Sequence, residues 1–236
     1  MELGSAQARL HSKTHNLRTM LYVVSTPIGN LGDITYRAVL ILRSVDLIAC
    51  EDTRRTKILC QHYQIHVPLS SYYEYNKAAK GDYLLRLLKE GKKIALVSDA
   101  GTPGISDPGF SLIRLALGAG INVISVPGPT ALVSALSISG FPTNKFYFEG
   151  FLPIKSAARK KRLKELGALG VTVVLYESPH RIVKTLQDIC EVLGNRPLAI
   201  VREVTKKFEE VLRQDCETLL EKFKAAKPKG EFVIIF

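Results

Sequence analysis

Three loops rich in glycine and proline hold the residue types best suited to gripping a small ligand. The first runs Ser25-Thr26-Pro27-Ile28-Gly29-Asn30-Leu31-Gly32-Asp33. Gly29 and Gly32 let backbone approach a ligand closely, and Asp33 can cap the helix that follows. The second, Ser98 to Gly109, contains three glycines, two prolines and two aspartates. A connection that only has to turn needs no such stretch. Proline removes backbone freedom and glycine permits close approach, so this loop reads as preorganised. Asp99 can accept from a ribose hydroxyl or an amino group, while Asp107 reads as a helix cap. The third loop, Val126-Pro127-Gly128-Pro129-Thr130-Ala131, leads into ALVSALSISG, a small-residue helix. Thr130 can cap that helix or touch a ligand.

Three charged clusters follow apolar runs. ACEDTRR places Glu51, Asp52, Arg54 and Arg55 together; its bland alternative is a capped helix with a surface ion pair. YESPHR offers Glu177, His180 and Arg181, with His180 read as a cap more readily than a base. REVTKKFEE supplies Arg202, Glu203, Lys206 and Glu209, where Lys206 can stabilise an alkoxide or bind a phosphate. A basic run, Lys155, Arg159, Lys160, Lys161, Arg162 and Lys164, contains no acid. A helix from residue 156 spreads these charges over most of its circumference, as a solvated face or as phosphate contacts.

The elements that must position these groups alternate. LYVVS, VDLIAC, KIALVSD and NVISVPG have the near-continuous apolar character of strands buried on both faces. Tyr83, Leu84, Leu87 and Leu88 recur at helical spacing before Gly91, and Phe110, Ile113, Leu115 and Leu117 do so before Gly118. Alternation of this kind predicts an α/β fold with mostly parallel strands, and in such sheets ligands sit beyond the carboxyl ends of the strands. The stretch 139–153, rich in glycine, proline and asparagine, reads as a linker. Beyond it come the basic helix, the strand VTVVLYES, a helix from Arg181 to Leu193 and the strand PLAIVREV. FEEVLR, a helix near 216–226 and the strand EFVIIF complete the chain, and they predict a mixed sheet. Two α/β domains result, over 21–140 and 145–236, with a disordered extension over 1–20. The extension lacks the apolar run of a secretory signal. The end at Phe236, inside an apolar run, fits a natural terminus or a trimmed chain equally.

Composition narrows the classes. The 236 residues are 46% hydrophobic, which excludes a wholly disordered chain. No apolar window of about 18 residues exists to cross a membrane. Lysine and arginine number 33 against 22 acids, giving +11, which favours an anionic partner. Cys50, Cys60, Cys190 and Cys216 include no CxxC pair and read as four reduced thiols of a cytoplasmic protein. GxxxxGK[ST] and GxSxG are absent, which disfavours P-loop nucleotide hydrolysis and the serine-elbow hydrolases. The first loop is not GxGxxG, which disfavours the usual dinucleotide fold.

TPIGNLGDIT, ACEDTRRT, VSDAGTPGISDPG, PGPTALVSAL, FYFEGFLP, YESPHRI, REVTKKFEE and KGEF, in that order, resemble the RNA branch of the tetrapyrrole methylase superfamily. Within it the match is to the small-subunit (16S) ribosomal RNA cytidine 2′-O-methyltransferases, over about residues 21–236. The resemblance implies a class III methyltransferase, in which two α/β domains hold S-adenosylmethionine in a cleft between them, usually in a homodimer. It implies 16S ribosomal RNA within the small subunit as substrate, with no membrane and no metal. Members usually continue for tens of residues beyond KGEF with a basic helical tail.

Carried over position by position, the donor would meet Pro27, Gly29, Asp99, Gly101, Thr102, Ile105, Pro127, Gly128, Thr130 and Ala131, with Tyr176 closing over the adenine. Gly101-Thr102-Pro103 stands where corrin and porphyrin enzymes have Gly-Asp-Pro. Thr102 therefore replaces an acid, which argues against a tetrapyrrole substrate. Glu177, Arg202, Glu203 and Lys206 are expected around the reacting ribose. RNA phosphates are expected at Arg54, Arg55, Lys155, Arg159, Lys160, Lys161 and Arg162. The alternatives are a methyltransferase for a tetrapyrrole or other small molecule, and a non-catalytic RNA-binding assembly protein.

Overall fold

The computed structural model describes residues 19–73, 75, 77–225 and 228–236; the expected extension lies almost wholly outside them. The chain forms two compact units. The first takes residues up to Val24, Tyr36–Asp99 and Pro108–Val126. The second takes Ser25–Thr35, Ala100–Asp107 and Pro127–Phe236. Residues 127–140, grouped with the first lobe from sequence, thus sit in the second unit.

The first unit is a parallel sheet in the order β3-β2-β4-β1-β5, made of β1 (Met20–Val24), β2 (Leu47–Cys50), β3 (Leu69–Ser71), β4 (Lys93–Val97) and β5 (Asn122–Val126). Its helices are α1 (Tyr36–Ser44), α2 (Thr53–His62), α3 (Lys77–Lys89) and α4 (Phe110–Gly118). The helical spacing seen in sequence turns Leu84 and Leu88 of α3 onto Leu21, Ile94 and Leu96 of the sheet; in α4 the spacing read from Phe110 to Leu117 picks the wrong face, since Phe110 and Leu117 are exposed and Leu112 and Ala116 are buried. At its carboxyl end β2 runs into Asp52, whose carboxylate caps α2 by accepting from the Arg54 amide at 2.8 Å. Cys50 and Cys60 are buried free thiols; burial pushes Cys50 up to about 11 and raises Cys60, so both are inert near neutrality.

The second unit holds a mixed sheet in the order β6-β7-β10-β8-β9, from β6 (Phe146–Phe151), β7 (Thr172–Glu177), β8 (Pro197–Arg202), β9 (Glu210–Asp215) and β10 (Phe232–Ile235). Only β6 and β7 are parallel; the other neighbours are antiparallel, as FEEVLR and the closing strand predict. Alternation along β7, β8 and β10 sends Leu175, Ile200 and Ile234 to one face. There they meet α6 (Ser156–Gly167), α7 (Ile182–Leu193) and α8 (Cys216–Ala225). It sends Val174, Val201 and Val233 to the other face, against α5 (Ala131–Ser137).

Two expectations are corrected. The stretch 139–153 is not merely a linker, because it contains β6. Its glycine serves a bulge: the register shifts between Phe148 and Gly150, and Gly150 has φ +74°. The cysteines are not four thiols either. Cys190 of α7 and Cys216 of α8 form a disulfide, their Cα atoms 5.8 Å apart. Their sequence separation of 26 carries no motif that would have announced it.

Candidate active site

A cavity of about 390 Å³ opens on the second unit, and every residue lining it belongs to that unit. Its floor is one rung of the sheet, where Tyr176 of β7 and Val201 of β8 flank Val233 of β10. The loops that follow β1 and β4 supply Ile28, Gly101, Thr102, Ile105, Ser106 and Asp107, and the start of α5 supplies Thr130 and Ala131.

The two loops are fastened to each other. Thr26 and Gly101 exchange backbone hydrogen bonds of 2.9 and 3.0 Å, and the hydroxyls of Ser25 and Thr102 lie 2.8 Å apart. Gly101 and Gly104 sit at φ +79° and +85°, which glycine adopts at no steric cost. Ser106 does so at +60° without that freedom, and its Oγ fills the space a Cβ on Gly150 would need. Asp107 does not cap α4, whose N-cap is Gly109; it lines the cavity instead. In the first loop Asn30 accepts from the Gly32 amide at 3.0 Å and caps the short 3-10 turn Leu31–Asp33.

Tyr176 organises the third loop. Its hydroxyl accepts from the Leu132 amide at 3.0 Å, doing for α5 what Thr130 does not do with its own side chain. Burial raises its pKa despite hydrogen bonds from Leu132 and Thr130, so it stays a neutral phenol. The ring meets Phe148 and Phe151 edge-on, with centroids 4.9 and 5.9 Å away.

Lys206 is the cation on the cavity wall. It sits in a turn that holds Glu203 and Thr205 at φ +50° and +69°, costly for non-glycine residues. Local bonds over-determine that turn. The Glu203 amide donates to the Glu231 carbonyl at 3.0 Å, and the Glu231 amide donates to Glu203 Oε1 at 2.9 Å. Lys206 Nζ donates to Glu203 at 2.8 Å and Glu231 at 2.9 Å. Burial works to lower the Lys206 pKa, but these two carboxylates outweigh it and hold the ammonium above its usual value. For Glu203, burial is likewise outweighed by hydrogen bonds from Lys206 and the Glu231 amide, and the carboxyl falls below its usual range. A Cβ on Gly29 would overlap the Lys206 stem, so that glycine makes room for the lysine.

The other expected residues divide. Glu177 lines the cavity yet is 2% exposed; it accepts from Thr185 at 2.6 Å and the Ser178 amide at 2.8 Å, with Arg181 at 3.3 Å. Arg202 is turned to the Lys229 carbonyl at 2.6 Å and Glu210 at 3.4 Å and does not line the cavity. Pro27, Gly29, Pro127 and Gly128 stand behind the wall, Gly128 because a Cβ there would press on Ser25. Asp99 is absent from the lining too. In the first unit it accepts from the Asp52 amide at 2.9 Å and faces Arg55 at 3.6 Å. His180 is exposed and outside the lining. Ile28, Phe151, Val201, Val204, Phe232, Val233 and Glu231 line it without having been singled out. Most are apolar strand residues that in sequence look like ordinary core; sheet register sets Val201 and Val233 on one floor.

The expected phosphate contacts divide as sharply. Arg159 is corrected: it is 4% exposed, pairs with Asp188 at 2.6 Å and donates to the Ile154 carbonyl at 3.0 Å. Lys160 is held by Glu191 at 2.6 Å and Arg162 by Glu149 at 2.7 Å. Lys155 and Lys161 face solvent, as do Arg54 and Arg55 of α2.

A family model described as Tetrapyrrole (Corrin/Porphyrin) Methylases matches residues 20–220. The chain belongs to that family. Among tetrapyrrole methylases it is similar to the ribosomal RNA small subunit methyltransferase I of Thermotoga maritima, 49% identical over 215 residues, 91% of this chain and 96% of that protein. The protein of the same name from Halalkalibacterium halodurans is 49% identical over 215 residues, covering 91% of this chain and 74% of the relative. The one from Escherichia coli O157:H7 is 46% identical over 228 residues, 95% of this chain and 80% of the relative. Among solved structures, a cobalt precorrin-4 methyltransferase matches with TM-score 0.69 at 16% identity, over 92% of this chain and 94% of that one. A uroporphyrin-III-C-methyltransferase from Thermus thermophilus matches with TM-score 0.64 at 22% identity, over the same shares. These two likenesses concern the tetrapyrrole methylase fold alone.

The cavity of this tetrapyrrole methylase fits a sulfonium donor. Its volume lies within the range of about 300–1,000 Å³ usual for small-molecule sites. Tyr176, Val201 and Val233 offer a flat apolar floor to a nucleobase. Asp107 and Glu231 are acids of the lining, which suits a cationic sulfonium and an ammonium.

Proposed function

We propose that the chain is an S-adenosylmethionine-dependent methyltransferase that modifies the 2′-oxygen of a cytidine ribose in 16S ribosomal RNA of the small subunit, in the cytoplasm and as a homodimer. The observation that carries this is the cavity with Lys206 on its wall, in a chain nearly half identical over most of its length to proteins named ribosomal RNA small subunit methyltransferase I. Bound there, S-adenosylmethionine supplies an electrophilic methyl on a neutral leaving group, so no acid is required to expel it.

What the chain must do is align the donor and assist the oxygen. Gly101, Thr102, Ile105, Thr130, Ala131 and Tyr176 hold the donor. A ribose hydroxyl is a weak nucleophile at neutral pH. Lys206, an ammonium throughout the neutral range, stabilises the negative charge that develops on the oxygen as its proton passes to solvent water. Glu203 and Glu231 aim that ammonium; Glu177 and Arg202, committed to neighbouring residues, position the strands around it. Lys155, Lys161, Arg54 and Arg55 are the cations left to meet RNA phosphates.

Thr102 in place of an acid disfavours a tetrapyrrole. Transfer of labelled methyl from S-adenosylmethionine to small subunits, naked 16S RNA and a porphyrin precursor tests the assignment. Label in RNA that survives alkali as a resistant dinucleotide supports it; label in the porphyrin alone refutes it.

A further inference from the structure

On the first unit, aromatic rings and arginines follow the carboxyl ends of two neighbouring strands, and none of these residues lines the donor cavity. Strands β2 and β3 pair with Cys50 opposite Ser71, and the Tyr72 amide extends the ladder by donating to the Cys50 carbonyl at 2.8 Å. Tyr72 then turns inward and is 1% exposed. By the alternation of an extended chain, Tyr73 turns outward, 39% exposed, and Tyr75 follows at 95%. Their rings meet edge-to-face with centroids 6.4 Å apart. A ring left 95% in water, as Tyr75 is, adds nothing to the core, and it stands edge-on to the partly exposed ring of Tyr73.

Past the end of β2, the strand paired with β3, stand Arg54 and Arg55, 89% and 68% exposed. Each is steadied from beneath by a more buried acid. Asp52 holds Arg54 at 2.7 Å, and Asp99 faces Arg55 at 3.6 Å. One oxygen of each acid is also taken by a backbone amide, Arg54's for Asp52 and Asp52's for Asp99. Arg54 gives its Nε and Nη2 to the two Asp52 oxygens, which orients the guanidinium, and both guanidiniums remain exposed. Flat π faces and forked cations carried past the ends of two paired strands match the chemistry of an unpaired nucleotide. Its base stacks on an aromatic ring and its phosphate accepts from an arginine fork.

We propose that Tyr73 and Tyr75, with Arg54 and Arg55, form a stacking site for an unpaired nucleotide of the RNA substrate. The site rests on the RNA assignment above and adds to it where on the first unit the strand is held.

The test uses the full chain and a 12-nucleotide single-stranded RNA containing 2-aminopurine, whose fluorescence is quenched on stacking. Replacing both tyrosines by alanine is expected to weaken binding about tenfold or more and to abolish the quench. Tyr75→Phe, which keeps the ring, is expected to bind within about twofold of the parent. S-adenosylmethionine affinity should be unchanged in each variant, and Tyr75→Ala alone, which removes little buried surface, should keep the parent melting temperature while weakening the quench. Undiminished binding by the double variant overturns the proposal. So does an equal loss with Tyr75→Phe, which would assign the effect to the hydroxyl. An equal loss toward fully paired RNA, or loss of a protein contact with RNA binding intact, also overturns it. If the parent methylates small-subunit RNA and the double variant binds RNA as well as the parent, only the stacking site falls. If the parent methylates no RNA, the assignment beneath it falls too.

Discussion

Two helices carry most of the conspicuous basic sequence, and the fold uses them in opposite ways. In α6 the cations run without an acid between them, yet Arg159, Lys160 and Arg162 all find carboxylates far along the chain, at Asp188, Glu191 and Glu149. In α2 only Arg54 and Arg55 stand at the helix start, their acids lie below them, and both guanidiniums reach solvent. The denser run is mostly mortar inside the second unit. The sparser pair is the surface. Charge counted along a sequence locates cations; only their partners decide which remain for an anion.

The largest effect that sharpens this contrast is on stability. Asp188→Ala leaves the Arg159 guanidinium buried without its carboxylate and should cost about 3–5 kcal/mol in urea unfolding. Glu191→Ala, which frees a half-exposed lysine, should cost under about 1 kcal/mol. Comparable losses would show that α6 is not anchored through Arg159. Next in size is turnover. Lys206→Met keeps the stem that Gly29 accommodates and removes the charge, and should slow methyl transfer about 100-fold with donor affinity intact. Because the carboxylates hold this ammonium above its ordinary pKa, its contribution is present at neutral pH and fades only as pH climbs past the usual lysine value. An activity that falls with pH between about 7 and 9 in the parent but not in the variant would contradict that.

Salt dependence separates the two helices directly. Arg54→Gln with Arg55→Gln should lower the slope of log affinity for single-stranded RNA against log salt by about 1.4. Lys160→Gln with Arg162→Gln should leave that slope in place. The smallest effect is a titration. Hydrogen bonds from the Arg54 side chain and amide carry the Asp52 carboxyl down to about 2. Its pairing therefore contributes above the ordinary carboxylate range and is lost only as pH falls through about 2. Carboxyl carbon resonances should show that midpoint, and Arg54→Gln should return it toward about 4.

Much of the architecture is legible because burial on both faces of a strand leaves an apolar run no loop would carry. KIALV, TVVLYE and PLAIVR became β4, β7 and β8, and the Leu84–Leu88 spacing became α3. The strand β6 was hidden because its bulge needs Gly150, and glycine among prolines reads as linker. Of the cavity lining, Thr102, Ile105, Thr130 and Ala131 stood out because they belong to loops that spend proline and glycine where a plain turn would not, whereas Tyr176, on strand β7, was reached only through the family resemblance. Val201, Phe232 and Val233 did not stand out, since an apolar strand residue on a pocket floor has the same composition as one in the core. Arg159 was misjudged for a related reason: its partner lies 29 residues away, where no helical spacing points to it.

The central claim is that the cavity floored by Tyr176, Val233 and Val201 holds the methyl donor. Calorimetric titration of S-adenosylmethionine into the parent and into Ala131→Trp tests it most directly, because an indole at residue 131 fills the cavity from its rim. The account predicts one donor per chain for the parent and none for the variant, with melting temperatures alike. Equal binding by both would place the donor elsewhere and contradict it.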